Sequence, residues 1–147
     1  MKKAIIYCRA SVQDDIPIAT QRQACDNYCR QHGIVVDKVF ADTDAPTLPV
    51  DQTALVNLLR YCRANKGNIN ILLVYSPDRI SRVVLDRVRT TMALEELGVR
   101  VDAVDGGFDL DSETGLIDAI VYTALGAREL NAAWRRKQEG ILSATTE

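Results

Sequence analysis

The chain of 147 residues has no apolar run near the ~18 residues that a membrane-spanning helix needs. It also has almost no net charge: 18 Lys and Arg stand against 20 Asp and Glu, a formal charge of −2. That balance excludes a protein that clamps nucleic acid by bulk positive charge, so any contact with a polyanion must come from local clusters. Histidine occurs once, as His32 at the far end of the first helical segment. A Ser-His-Asp hydrolase needs a base beside its serine, and this histidine is in the wrong place for that. The GxxxxGK[ST] phosphate loop is absent. Repeats and low-complexity stretches are absent too. The opening MKKAIIYCRAS carries two lysines and a short apolar run, but Arg9 interrupts it and no small-residue cleavage site follows. It does not read as a signal peptide, and the expected location is the cytoplasm.

Cysteine is sparse: Cys8, Cys25, Cys29 and Cys62, with no CxxC pair. Without a secretory context these are expected to be reduced thiols rather than disulfides. Cys25, Cys29 and His32 fall at i, i+4 and i+7 of a helix and share a face. No fourth ligand stands nearby, so buried free thiols are the better reading, with no metal and no cofactor.

What the sequence does have is alternation of strand-like and helix-like segments. KKAIIYCRA reads as a strand. TQRQACDNYCRQHG reads as a helix, capped by Thr20 and stopped by Gly33. IVVDKVFAD is a second strand and TDAPTLPVD a loop, because its prolines and aspartates break regular structure. QTALVNLLRYCRAN is a helix with Leu55, Leu58, Leu59 and Cys62 on one face. INILLVYS is a third strand, a continuous apolar run suited to a buried parallel sheet. LDRVRTTMALEELG is a helix and VRVDAVDG a fourth strand. Residues 113–140 read as one long helix that would reach about 40 Å. Its apolar stripe, Leu116, Ile117, Ile120, Val121, Ala124 and Leu125, is expected to pack on the domain, while the polar half after Gly126 projects.

This order predicts an α/β domain: a mostly parallel sheet of four or five strands flanked by helices, with right-handed crossovers and a long C-terminal helix. The core is expected over residues 1–112, the long helix over 113–140 and a tail over 141–147. In such sheets ligand groups gather beyond the carboxyl ends of the strands. Three strand ends deliver polar residues there. In YCRAS, Tyr7, Arg9 and Ser11 lie at alternate positions and face the same way, while Cys8 and Ala10 face apolar packing. Asp42 ends the second strand. SPDRISR follows the third, with Asp78, and with Arg79 and Arg82 at i and i+3 of an expected helix.

Arg9, Arg79 and Arg82 would surround one anion. Guanidinium forks match phosphate oxygens and stay charged at any working pH. Ser11 beside them is a candidate nucleophile, since phosphoryl transfer gains most from a preorganised cationic cradle. Taken singly, each arginine reads equally well as a solvated surface residue or an ion-pair partner, and Ser11 as a turn or cap residue. It is their convergence on one rim that carries the argument.

YCRAS, TQRQACDNYCRQHG, VFAD, LLVYSPDRISR and LEELGVRV together resemble, in order and spacing, the catalytic domain of serine recombinases of the resolvase/invertase family. The fuller wording is similar to the large serine integrases. The likeness covers nearly the whole chain. YxRxS alone is a weak signal; followed at this distance by DRxSR at a strand–helix junction it is a strong one. The resemblance implies that Ser11 attacks a DNA phosphodiester, giving a phosphoserine link and a free 3′ hydroxyl, without metal or other cofactor. Strands are exchanged in a tetramer of a resting homodimer and rejoined without ATP. It implies that Arg9, Arg79 and Arg82 bind the scissile phosphate, that Asp78 orients an arginine or helps protonate the leaving oxygen, and that Tyr7, Gln21 and Asp42 support them. It further implies that the long helix makes the dimer contact and then crosses DNA, with Glu129 and Arg136 at family-like positions and Arg135, Arg136 and Lys137 as a local basic cluster. The other reading of WRRKQ is a solvated helix end whose cations suit the dipole.

The chain also departs from the pattern. The arginine usual before the second helix is replaced by Gln52, and the preceding loop lacks the usual glycine and serine and adds Asp44. Lower activity, altered control or none is expected. The sequence stops at Glu147, without the DNA-binding region that follows or precedes such domains, so weak DNA binding with little choice of site is expected. Three functions stay open: a strand-exchange enzyme, a weakened or inactive relative acting as a dimerising regulator, and a phosphatase- or nuclease-like enzyme using the same cradle. Target site and direction (integration, excision, inversion or resolution) are not written in these residues.

Overall fold

The computed structural model describes residues 1–11, 16–44, 53–105 and 117–125. Its first strand, β1 (Lys3–Ser11), is fully enclosed from Ala4 to Cys8. Enclosure on both faces is why this strand can be apolar at consecutive positions rather than at alternate ones. It pairs with β2 (Val35–Asp44) on one side and β3 (Ile71–Val74) on the other, and β3 pairs with β4 (Arg100–Ala103). The order is β2-β1-β3-β4 and every pairing is parallel, so the expected α/β domain is present with four strands among the described residues.

Helices α1 (Ile18–Gln31), α2 (Thr53–Ala64) and α3 (Val84–Glu96) cover the sheet. The alternation of side chains along β1 sorts them. Ala4, Ile6 and Cys8 join Ile71 and Leu73 against Cys25 and Cys29 of α1. Ile5 and Tyr7 join Leu72 and Val74 against Leu55, Leu58 and Cys62 of α2 and Leu94 of α3. The stripe expected on α2 is therefore the buried one, with Leu59 packed at its edge. Gly33 and Gly98, at φ 65° and 78°, turn the chain out of α1 and α3 in the left-handed region that other residues resist.

Three expectations are corrected. Helix α1 begins at Ile18 with Pro17 at its flanking position, so Thr20 lies inside the first turn and caps nothing. Proline, with φ preset and no N–H to satisfy, serves as the start. No helix begins directly after Pro77: residues Pro77–Arg79 form a single 3-10 turn, and α3 starts only at Val84. Arg79 and Arg82 accordingly do not share a helix face; Arg79 is buried and Arg82 is exposed.

The third correction concerns the last helix. Residues 117–125 are helical; the remainder of the long helix expected over 113–140 lies outside the described residues, as do residues 45–51 of the expected loop. Of the apolar stripe expected on 117–125, Val121 and Leu125 are half-buried, but Ile117 and Ile120 turn away from the domain. Ile117 and Ile120 are 42% and 61% exposed, while Asp118 is buried at 3%. The reason lies opposite: Arg87 of α3 is buried at 3%, and a buried cation requires a carboxylate more than the helix requires an apolar seat.

Candidate anion site at the carboxyl rim

The strand order places a reversal between β1 and β3: the chain leaves β1 toward β2 on one side and returns to β3 on the other. In open parallel sheets the crevice beyond the carboxyl ends at such a reversal is where ligands bind. Here β1 ends in Arg9 and Ser11, and β3 runs into the turn that carries Asp78 and Arg79.

The two neighbours of β1 end at different heights. Pairing with β2 continues to Ser11↔Asp44, but pairing with β3 stops at Tyr7↔Val74. Beyond Tyr7, backbone groups of β1 on the β3 side have no strand to bond. Buried backbone groups left so would be costly, and side chains take the missing strand's place. Gln21, fully buried on α1, accepts from the Arg9 N–H at 3.2 Å and donates to the Arg9 carbonyl at 2.9 Å. Its amide also donates to the Ile16 carbonyl at 3.1 Å. Arg79 Nη1 donates to the same Arg9 carbonyl at 3.1 Å, and Arg79 Nε reaches Ser76 Oγ at 3.4 Å. In return, Arg9 Nη2 donates to the Asp78 carbonyl at 2.6 Å. The two arginines thus lock β1 and the 3-10 turn crosswise, each holding the other's segment. They are 8% and 5% exposed, so neither is the solvated surface residue that each could have been taken for singly. Ser76 donates its hydroxyl hydrogen bond to Asp78 Oδ1, which fixes the carboxyl group of the same turn.

Tyr7 and Asp42 form the second part. The Tyr7 hydroxyl donates to Asp42 Oδ2 at 2.7 Å. Asp42 also accepts from the backbone N–H groups of Ala54 at 2.9 Å and Leu55 at 3.1 Å. It therefore ties β1, β2 and the first turn of α2 together, where the helix's unpaired N–H groups and dipole favour a carboxylate. Ser11 completes the rim two residues beyond Arg9, roughly 7 Å along the strand. Its Oγ is buried and has no hydrogen-bond partner, alone in this among the buried side-chain polar atoms of the described residues. Arg82 and Asp78 line a depression beside the turn together with Val84, Arg87 and Ile117.

Two further residues had escaped notice in the sequence. Arg87 Nε and Nη2 donate to Asp118 Oδ2 and Oδ1 at 2.7 and 2.6 Å, a bidentate pair with both side chains 4% exposed. Arg87 Nη1 also donates to the Ser81 carbonyl at 2.8 Å. The available signal was a charge against an apolar face: Arg87 next to Val88 and in line with Thr91 and Leu94, and Asp118 at the margin of its stripe beside Val121 and Leu125.

The cysteines belong to the core. Burial pushes the thiols of Cys8 and Cys62 up to about 11 and that of Cys25 up to about 12, and it raises Cys29 as well. His32 is exposed, stacks on Tyr28 with ring centroids 4.0 Å apart, and lies at the opposite edge of the sheet from Ser11. Among the described residues no group of His, Cys, Asp and Glu is arranged to hold a metal ion, and no helix is long and apolar enough to cross a membrane. Gln52, Glu129, Arg135, Arg136 and Lys137 lie outside the described residues.

The fold is shared with solved structures. The N-terminal catalytic domain of TP901-1 integrase is 22% identical, with a TM-score of 0.68 over 89% of this chain and 98% of its own. A resolvase family site-specific recombinase from Streptococcus pneumoniae is 18% identical, with a TM-score of 0.68 over the whole of both chains. The C-terminal catalytic domain of ISC1926 TnpA, an IS607-like serine recombinase, is 21% identical, with a TM-score of 0.60 over 80% of this chain and 76% of its own. No curated protein matches. The family model described as "Resolvase, N terminal domain" matches residues 4–147, from the first buried residue of β1 to the end, and the chain belongs to that family.

Proposed function

We propose that this chain is the catalytic domain of a serine site-specific DNA recombinase. Ser11 Oγ attacks a DNA phosphodiester and forms a phosphoserine link. The P–O3′ bond breaks, the 3′ oxygen takes up a proton, and the serine's own proton passes to water. Attack by a 3′ hydroxyl on the phosphoserine reverses the step, so the energy of the broken ester is kept in the link and no nucleotide is consumed. Arg9, Arg79 and Arg82 stabilise the charge on the phosphate oxygens, and Asp78 orients an arginine or protonates the leaving oxygen. Gln21, Asp42 and Tyr7 position them through the backbone and helix contacts above.

The observation that carries this reading is the unpartnered hydroxyl of Ser11 beside two reciprocally locked arginines at the sheet's reversal point. A buried hydroxyl without a partner is costly for a fold, and such groups mark sites kept for a ligand or for chemistry. On this reading residues 1–112 form the core, residues 113–140 form the dimerising and DNA-crossing helix, and Arg135, Arg136 and Lys137 meet phosphates. The exposed Ile117 and Ile120 support a partner helix in a homodimer that becomes a tetramer at synapsis.

The test is covalent attachment. The chain is fused to a DNA-binding module of known site, offered paired sites and run on denaturing gels, with Ser11→Ala as control. A serine-dependent adduct supports the proposal. Gln52 favours a second reading, a disarmed relative that regulates by dimerising. An adduct that appears only after Gln52→Arg would establish it. Turnover of small phosphodiesters without synapsis would instead indicate a nuclease-like enzyme.

A further inference from the structure

We propose that Arg87 is a positioning residue: held by Asp118, it fixes the backbone that presents Arg82, so the phosphate site is set correctly only when helix 117–125 is docked. This deepens the proposed function and rests on it. The chain from Ile80 to Val83 belongs to neither the 3-10 turn nor α3, yet it carries Arg82. Ser81 is a tie point on both its side chain and its backbone. The Val83 N–H donates to Ser81 Oγ at 3.1 Å, and the Ser81 carbonyl accepts from Arg87 Nη1 at 2.8 Å.

That second bond has a fixed direction. A guanidinium is planar, with its donors in a rigid fork. Nε and Nη2 of Arg87 are both spent on the two oxygens of Asp118, which orients the plane and leaves Nη1 aimed at Ser81. The orientation of the Ser81 carbonyl is thereby set by a carboxylate 31 residues from Arg87 in sequence, on a different helix. A lysine in place of Arg87 would keep the charge but could not hold both ends. The surface agrees: one depression is lined by Asp78 and Arg82 of the site, by Arg87, and by Ile117 at the start of the docked helix. Undocking the helix leaves Arg87 without its carboxylate and Ser81 without a fixed donor. Because burying an unpaired cation is unfavourable, Arg87 would then swing toward water.

A simple structural ion pair would stabilise the helix and do nothing else, so the test separates docking from positioning. The key variant is Arg87→Met with Asp118→Leu. Replacing a buried pair by apolar residues of similar volume usually preserves packing, but it removes the donor to Ser81. Arg87→Lys and Asp118→Asn are companions, and Asp102→Asn, at the exposed Arg100–Asp102 pair, is the control. On the full chain without DNA, amide NMR is expected to show shifted or broadened resonances for Ser81, Arg82 and Val83 in the double variant, with helix 117–125 still protected from exchange. In the adduct assay at saturating DNA, its rate is expected to fall on the order of 10–100-fold, with DNA affinity changed less than about twofold. Unmoved Ser81–Val83 resonances in a folded double variant, or an adduct rate equal to wild type, would overturn the proposal. Should the wild-type chain form no adduct, the recombinase reading fails, while the NMR arm still decides whether Arg87 positions the loop.

Discussion

The amino edge of the sheet and the carboxyl ends of β1 and β2 are closed by different means, while β3 and β4 run on past their ends with backbone bonds from Val104 N–H to Val74 and from Asp105 N–H to Tyr75. At the amino edge the bonds are backbone to backbone: Val35 N–H to the Lys2 carbonyl, Asn70 N–H to Lys3, and Arg100 N–H to Asn70. Among the described residues the side chain that takes part there, Asn70 Oδ1 accepting from Lys3 N–H, is exposed. At the carboxyl edge, buried side chains stand in for strands. Gln21 serves both backbone groups of Arg9, Arg79 shares its carbonyl, and Asp42 holds α2. A backbone partner closes an edge cheaply but offers no chemistry. A polar side chain has to be desolvated, and in return it brings charge and donors to a defined place. The difference arises because β3 stops at Val74 while β1 runs on to Ser11.

Substitutions can break this contrast. Ser11→Ala should have the largest effect and the narrowest: the covalent adduct on denaturing gels falls to background, while urea unfolding shows stability unchanged or raised, since the lost hydroxyl bonds to nothing. A marked loss of stability would mean that Ser11 is a structural residue. Next comes Asp42→Ala, which deprives Tyr7 and two helix N–H groups of their acceptor and is expected to cost about 3 kcal/mol in urea melts.

The direct comparison of the edges is Gln21→Leu against Asn70→Ala. Gln21→Leu keeps the volume but leaves the Arg9 N–H without its acceptor, and should cost about 2 kcal/mol. Asn70→Ala removes an exposed bond and should cost under ~1 kcal/mol. Equal losses at the two sites would show that burial is not what separates the edges.

The smallest effect concerns the interior between them. Unfolded thiols ionise near their ordinary 9.0, whereas Cys8 and Cys62 keep their protons to about 11 and Cys25 to about 12. Stability should be independent of these groups below that ordinary value. It should fall as pH rises from 9 toward 11, because the unfolded state releases protons that the folded state retains. At pH 8 the four thiols should react with an alkylating reagent only as fast as the chain unfolds.

Much of this was legible in the residues. The apolar runs of β1 and β3 gave away a sheet covered on both faces, and the spacing of Leu55, Leu58 and Cys62 gave the buried face of α2. The alternation in YCRAS put Tyr7 and Cys8 on opposite sides, as found. Less was legible where a side chain answers a distant need. Gln21 looks like any polar helix residue until the early end of β3 exposes the backbone it completes. Ile117 and Ile120 look like core until Arg87, from another helix, turns Asp118 inward instead.

The order of strands and helices, the parallel sheet and the residue types gathered at its carboxyl rim were readable from the residues alone. Those follow from periodicity, breakers and the rule that successive strands deliver their ends to one edge, all of them local or topological properties. Packing settled which arginines are buried, that Arg9 and Arg79 lock each other's segments, that Arg82 stands on a separate exposed loop, and that Asp118 rather than Ile117 or Ile120 faces the domain. These depend on where one strand stops relative to its neighbour and on which charge is buried opposite which. Such long-range matching of unpaired polar groups has no signature in any single stretch of chain.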